Sequence, residues 1–220
     1  MSLLPTLSIS LALLAGLATT VIAEDAASTL HDGSRHHLRL SLQGMPTDFD
    51  IEYDDGSSTA TSSREADSAG RLGIGYFWGG GRPVSFLLGA GLEFTGFEFS
   101  GTFSGTNGDY TIGEAGLFVE PGIAFQPVPW FTAEGGLRIG FGSVNVDIED
   151  SNLTVDDTGY GEVGLHVRGV FMVTRGLELI AEIAYVHQTF TYDYDIGNAT
   201  VEEIVTVKGP VAGLGIGWAF

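Results

Sequence analysis

Few residues of this 220-residue chain could do chemistry. It has no cysteine, so neither a disulfide nor a thiolate metal framework is available. The five histidines are His31, His36, His37, His166 and His187. Tyr185, His187 and Thr189 alternate along one segment, so in a strand they share a face. An imidazole beside a hydroxyl could serve as its base, but the pair needs an orienting acid. His36 and His37 are adjacent, and strand neighbours point to opposite faces, so they do not form a metal pair. His166 lies between Glu162 and Arg168 and reads as part of an interior ion network. The chain has no Gly-x-Ser-x-Gly, His-Glu-x-x-His or phosphate-binding loop, and the sequence assigns no enzyme, cofactor or metal.

Carboxylates dominate the charge. Twenty-eight acidic residues oppose nine basic ones, giving −19, which argues against a nucleic-acid partner. The acids gather in connecting segments. Asp48, Asp50, Glu52, Asp54, Asp55, Glu65 and Asp67 fall in Met45–Ser68. Asp147, Glu149, Asp150, Asp156 and Asp157 fall in Val146–Thr158. Asp193, Asp195, Glu202 and Glu203 form a further group. The expected role is solvation. Bridging by divalent cations is the sharper alternative, since hard cations favour oxygen ligands, but no segment spells an EF-hand loop. Ser57–Ser63 reads as adaptable, unstructured chain.

The elements that must position these groups are strands. Residues 1–23 carry no charged side chain and end in Val21-Ile22-Ala23, the pattern of a secretory signal peptide cut before Glu24. Its n-region lacks Lys and Arg. The rest, 24–220, has a one-domain length and no further long apolar run. Alternating apolar and polar residues predict eight strands: 35–44, 69–78, 84–97, 110–125, 130–147, 160–173, 177–192 and 210–220. The last places Ala212, Leu214, Ile216, Trp218 and Phe220 on one face and glycines on the other. About 9–11 residues suffice for a tilted strand to cross a bilayer. Connections alternate between short Gly/Pro turns and long polar segments, the layout of an outer-membrane barrel. Pro121 and Pro210 interrupt two strands, so each must lie at a bulge or lose a ladder bond. A local bulge is the expectation at Pro121. Gly209-Pro210 is expected to end the membrane part of the last strand.

The polar face carries Arg39, Arg71, Glu93, Glu114, Glu120, Glu134, Arg138, Glu162, His166, Arg168, Glu178 and Glu182, interleaved with glycines. A soluble lipocalin-like carrier would turn its apolar face inward. The alternative puts the apolar face in lipid and the charges in the lumen. Glycine supports the second reading, because it makes room for long Glu and Arg side chains in a narrow barrel. The expected lumen ion network is Arg39, Arg71, Glu114, Glu120, Glu134, Arg138, Glu162, His166, Arg168 and Glu182. Aromatics favour the same reading. Trp78, Trp130 and Trp218 fall at one set of strand ends; Tyr110, Tyr160, Tyr185, Tyr192 and Tyr194 fall near the other. Two interfacial girdles predict that arrangement.

The terminal strand, with Trp218 and a final Phe220, resembles the recognition strand of bacterial outer-membrane β-barrel proteins, which the barrel-assembly machinery reads. Strand number and loop alternation extend the likeness to the small eight-stranded proteins of the OmpA-barrel, OmpX and opacity-protein type. The resemblance implies an all-β, eight-stranded antiparallel up-and-down transmembrane barrel in the cell outer membrane. It further implies a monomer in contact with lipid and lipopolysaccharide, with a structural or surface-interaction role and an unidentified ligand on its loops. An OmpA-like wall anchor is not expected. Two alternatives remain: a narrow ion or small-solute channel, and a lipid-modifying barrel enzyme. The latter rests on His187-x-Thr189, which resembles the His-x-Ser of outer-membrane lipid A deacylases, with Thr for Ser and no recognisable Glu partner.

Overall fold

The computed structural model describes residues 36–54, 59–80, 83–103, 106–148, 158–174, 176–196 and 199–220. The signal-peptide expectation falls outside them. Ten strand segments and no helix occur among the described residues: β1 His36–Gly44, β2 Asp48–Asp54, β3 Thr59–Glu65, β4 Ser68–Gly79, β5 Val84–Phe103, β6 Thr106–Val128, β7 Phe131–Ile148, β8 Thr158–Met172, β9 Leu177–Ile196 and β10 Ala199–Ala219. All pair antiparallel in one sheet, and β1 pairs with β10 to close it. In a hydrocarbon solvent closure is obligatory, because an open edge would leave backbone groups unsatisfied.

The closed wall has eight staves, β1, β4, β5, β6, β7, β8, β9 and β10. The two remaining segments correct the expectation of a long acidic loop. β2 follows β1 along the same neighbour: Gly44 faces Ala212 and Phe49 faces Val207, so the register is kept across the break at Met45-Pro46-Thr47. That break faces Pro210, where neither strand can supply a full ladder. β3 returns beside β2 and leads into β4 through Ala66-Asp67. Thr59–Ser63, expected as adaptable chain, is therefore strand; residues 55–58 lie outside the described residues. β10 is also longer than expected. It begins at Ala199 and carries Pro210 in its interior without a register shift against β9.

Pro121 is handled by a missing rung, not by the expected bulge. Val119 faces Ile139 and Gly122 faces Gly136, with the intervening pairs absent and the register unchanged. The bulge in this pair lies further on, between Phe125 and Val128. Turns at the opposite end use glycines of positive φ: Gly79 (134°), Gly80 (85°) and Gly176 (88°). Only glycine adopts such angles without steric cost.

Side-chain direction decides between the lipid and carrier readings. Leu165 is 65% exposed, Ile216 52% and Ile183 66%, whereas Glu134 and Arg138 are each 4% exposed. The apolar face is outside and the charged face inside, which overturns the soluble-carrier alternative. No aqueous fold would leave such a continuous belt of Leu, Ile, Val and Phe uncovered.

Candidate functional site

The lumen has two layers. The lower one is ionic. Arg39 donates to Glu134 through both terminal nitrogens (2.7 and 2.8 Å) and from Nε to Glu178 (3.1 Å). His37, on the same strand face, bonds Glu178 at 2.8 Å. Arg138 joins three carboxylates, donating to Glu93 and Glu120 and to Glu162 at 3.1 Å. Arg71 donates to Glu162 (2.9 Å from Nη1), Thr95 (3.1 Å) and Gln188 (3.2 Å). Arg168 pairs with Glu120 and Glu182, and Gln43 donates to Glu182 at 2.7 Å. Gln188 donates to Glu114. All of these residues are buried. Ions in such a place are tolerable only when paired on several sides.

Each network residue reaches the lumen because a strand sends alternate side chains inward. Neighbouring staves then supply partners: Glu134 faces Arg168, and Arg168 faces Glu182. The expected network residues all point inward. The structure adds Glu93, Glu178, His37, Gln43, Gln188 and Tyr160 to their hydrogen bonds. His166 also faces inward, but its Nδ1 has no hydrogen-bond partner. Its ring lies near Gly136, where a Cβ would meet Cε1 at 3.2 Å.

Three aromatic rings fill the gaps between the charges. Phe77 lies beneath two guanidinium groups, Arg39 at 4.8 Å and Arg168 at 5.3 Å from the ring centre. Phe118 lies under Arg138 at 4.1 Å. Such contacts favour cations over ring faces. Tyr160, expected in a girdle, is instead buried and donates its hydroxyl to Glu93 at 2.6 Å. The inward glycines make room mainly for these rings. A Cβ at Gly75 would sit 2.8 Å from Phe118 and 2.9 Å from Phe77; one at Gly116 would sit 2.3 Å from the Tyr160 hydroxyl. Others yield to charges, as Gly217 does to Glu178 at 2.7 Å.

The upper layer is apolar. Met45, Phe49, Ile51, Ala66, Phe97, Ile112, Val144, Tyr160, Val186, Phe190, Val205, Val207 and Val211 form one buried cluster. Phe49 of β2 meets Phe97 of β5 edge to face at 5.1 Å. The outer hairpin thus has its own core, continuous with the lumen. Glu203, expected in a solvated loop, is fully buried on the inner face of β10. Among the described residues no group of three or more His, Asp or Glu side chains is disposed to hold a metal.

On the outside, Trp78, Trp130 and Trp218 are exposed along one rim. Tyr185 is exposed toward the other; the side chains of Tyr110, Tyr192 and Tyr194 lie outside the described residues. Phe220 donates its N–H to His36 O at 2.9 Å and stacks on the His36 ring. His187 is exposed and stands across from Lys208 on β10. Among the described residues no hydrogen bond or ion pair joins His187 or Thr189 to a carboxylate. Lys208 Nζ donates to Asp50 Oδ2 at 2.7 Å, and Ser63 Oγ donates to Asp50 Oδ1 at 2.9 Å. The Lys208 ammonium and the Ser63 hydroxyl hold the Asp50 carboxyl below its ordinary range.

A greasy exterior, a closed antiparallel wall and an ion-paired interior define a membrane-spanning β-barrel. The fold is similar to that of the outer membrane protein OprG from Pseudomonas aeruginosa, with a TM-score of 0.54 and 13% identity over 86% of this chain and 97% of that one. Looser likenesses are Neisserial surface protein A (TM-score 0.44, 14% identity, 84% and 97% covered) and the outer membrane protease OmpT from Escherichia coli (0.46, 13%, 86% and 98%). No family model and no curated protein matches the chain. The chain has the fold of the small outer-membrane barrels.

Proposed function

We propose that this protein is a monomeric outer-membrane barrel that presents a folded hairpin above the membrane and does not conduct. One observation carries this reading: the lumen is filled twice, by the ion network around Arg138 and by the apolar cluster around Phe49 and Phe97. A conducting pore needs a continuous water path, and a lumen filled in both layers argues against one. The exterior meets lipid and lipopolysaccharide. Trp218 and Phe220 serve as the signal for the barrel-assembly machinery, and Trp78, Trp130, Trp218, Tyr110 and Tyr185 as interfacial girdles. A catalytic role for His187 and Thr189 would need an acid to orient the imidazole, so the surface role is preferred.

Planar-bilayer recording on the refolded protein tests the closed lumen. The expected result is no discrete conductance steps; reproducible unitary steps would overturn the reading in favour of a channel.

A further inference from the structure

Above the membrane the wall is interrupted. Asp67 N donates to Glu98 O at 2.8 Å. Asp67 Oδ2 accepts from Ser100 N at 2.9 Å and from Ser100 Oγ at 2.8 Å. This carboxylate is the last rung joining the β3–β4 stretch to β5. Beyond it, among the described residues, β3 forms its ladder with β2 alone and Phe99–Phe103 of β5 with β6 alone. Two strand edges, neither paired on that side, flank a notch that starts at Asp67.

Both flanks of the notch offer backbone groups to a further strand. In an extended chain the N–H and C=O of one residue point the same way and alternate along the sequence. The Ser100 N–H is directed at Asp67, so the Ser100 carbonyl and both backbone groups of Thr102 are directed into the notch. β3 presents alternate backbone groups from the opposite flank. Edge strands are commonly protected by Pro or by charged side chains. Thr59–Glu65 has no Pro, and its two charges, Arg64 and Glu65, lie at one end, which leaves Thr59–Ser63 without either device.

Charge selects the occupant. Glu65, Asp67 and Glu98 are exposed along the notch, and Asp48 and Glu52 are exposed on the adjoining β2. The nearby Lys208 is already held by Asp50, and Arg64 of β3 has a partner of its own, so the acids outnumber the cations along the notch. Just below the notch, Phe97 of β5 is buried in the apolar cluster. We propose that an extended, basic segment of a partner protein docks here as a strand between β3 and β5. Its backbone completes the sheet. Its alternate lysines or arginines meet Glu65, Asp67 and Glu98, and its remaining side chains turn toward the apolar interior. A second copy of this chain fits less well. Its own β3 is tied to β2 and cannot enter between two edges, and the approach would set like-charged rims against each other. The proposal rests on the surface-presentation reading and gives the partner its chemistry.

The test uses the full chain refolded in phospholipid nanodiscs and a blocked peptide of about eight residues alternating Lys and Val. Residue-resolved hydrogen exchange is measured with and without it. The expected result is slowed exchange at Thr102 and along β3. Methylating alternate peptide nitrogens, or replacing Lys by Glu, weakens binding by about tenfold or more. Glu65→Lys with Glu98→Lys, two exposed changes, weakens the Lys-Val peptide similarly. Equal binding of the N-methylated peptide, or of no peptide at all, would overturn the docking site even if the lumen proves closed. Slowing at β3 that rises with protein concentration alone would overturn the choice of partner and assign the edge to self-association.

Discussion

Arg138 sits among Glu93, Glu120 and Glu162, with Phe118 against the face of its guanidinium. Removing it takes a cation from three buried carboxylates at once, leaving Glu162 to Arg71, Glu120 to Arg168, and Glu93 to Arg71 and Tyr160. Breaking a buried ionic group by deleting one partner costs about 3–5 kcal/mol, because the remaining charge is left uncompensated. Arg138→Met is therefore expected to lower the urea midpoint of the refolded barrel by an amount equivalent to that loss. Adding Glu120→Gln should recover part of it. An unchanged midpoint would mean that water reaches the lumen and screens its charges. Alternation alone exposed the inward residues, since every second position must share a face. It could not say which carboxylate meets which guanidinium. That depends on the stagger between staves, and on contacts such as Arg39 to Glu134 that cross the barrel between residues 95 positions apart. Tyr160 departs from the girdle pattern for a related reason. A tyrosine near a strand end suits a girdle, and only the room at Gly116 and Gly142 turns it into a lumen residue.

At the scale of elements, the hairpin β2–β3 is where sequence and structure part most. Asp, Ser and Thr suggested unstructured chain, because these residues favour turns and solvation. Yet Phe49, Ile51 and Tyr53 alternate with Asp50 and Glu52, a strand pattern that the surrounding acidity concealed. The hairpin gains a core from Phe49 and Ile51 and an outer clasp from Lys208 and Asp50. The clasp sets a pH dependence. Asp50 has a lowered pKa, so its contribution is present above the ordinary aspartate value of about 4 and is lost as pH falls through the lower folded value. Lys208 has a raised pKa, so its contribution is present below about 10.4 and is lost as pH rises through the higher folded value. Exchange of the β2 amides, corrected for its intrinsic pH dependence, should therefore quicken toward strong acid and be steady near neutrality. In Lys208→Met the acid-side quickening should shrink to the smaller part that the Ser63 hydroxyl supplies. If it persists unchanged, some other carboxylate controls the hairpin.

For the molecule as a whole, orientation in the bilayer follows from where the large amphipathic rings are placed. Trp78 ends β4 opposite His36, Trp218 faces Leu38 near the end of β10, and Trp130 precedes β7. All three therefore lie at the same end of the barrel, and all are exposed. Indole rings prefer the boundary where an apolar body meets lipid and the N–H meets headgroups. Tryptophan emission should thus be quenched more strongly by lipids brominated near the headgroup than by lipids brominated at the chain end, and the three rings should respond alike. Single Trp→Phe replacements resolve each one. A ring quenched best at the chain end would place its strand deeper than the others and break the common rim. Insensitivity of all three to brominated lipid would mean that the exposed apolar belt does not face hydrocarbon. The opposite disposition of charge and grease, inward Glu and Arg against outward Leu and Ile, would then lack its physical cause. These rings test it independently, because their emission reports the solvent outside the wall whatever fills the lumen.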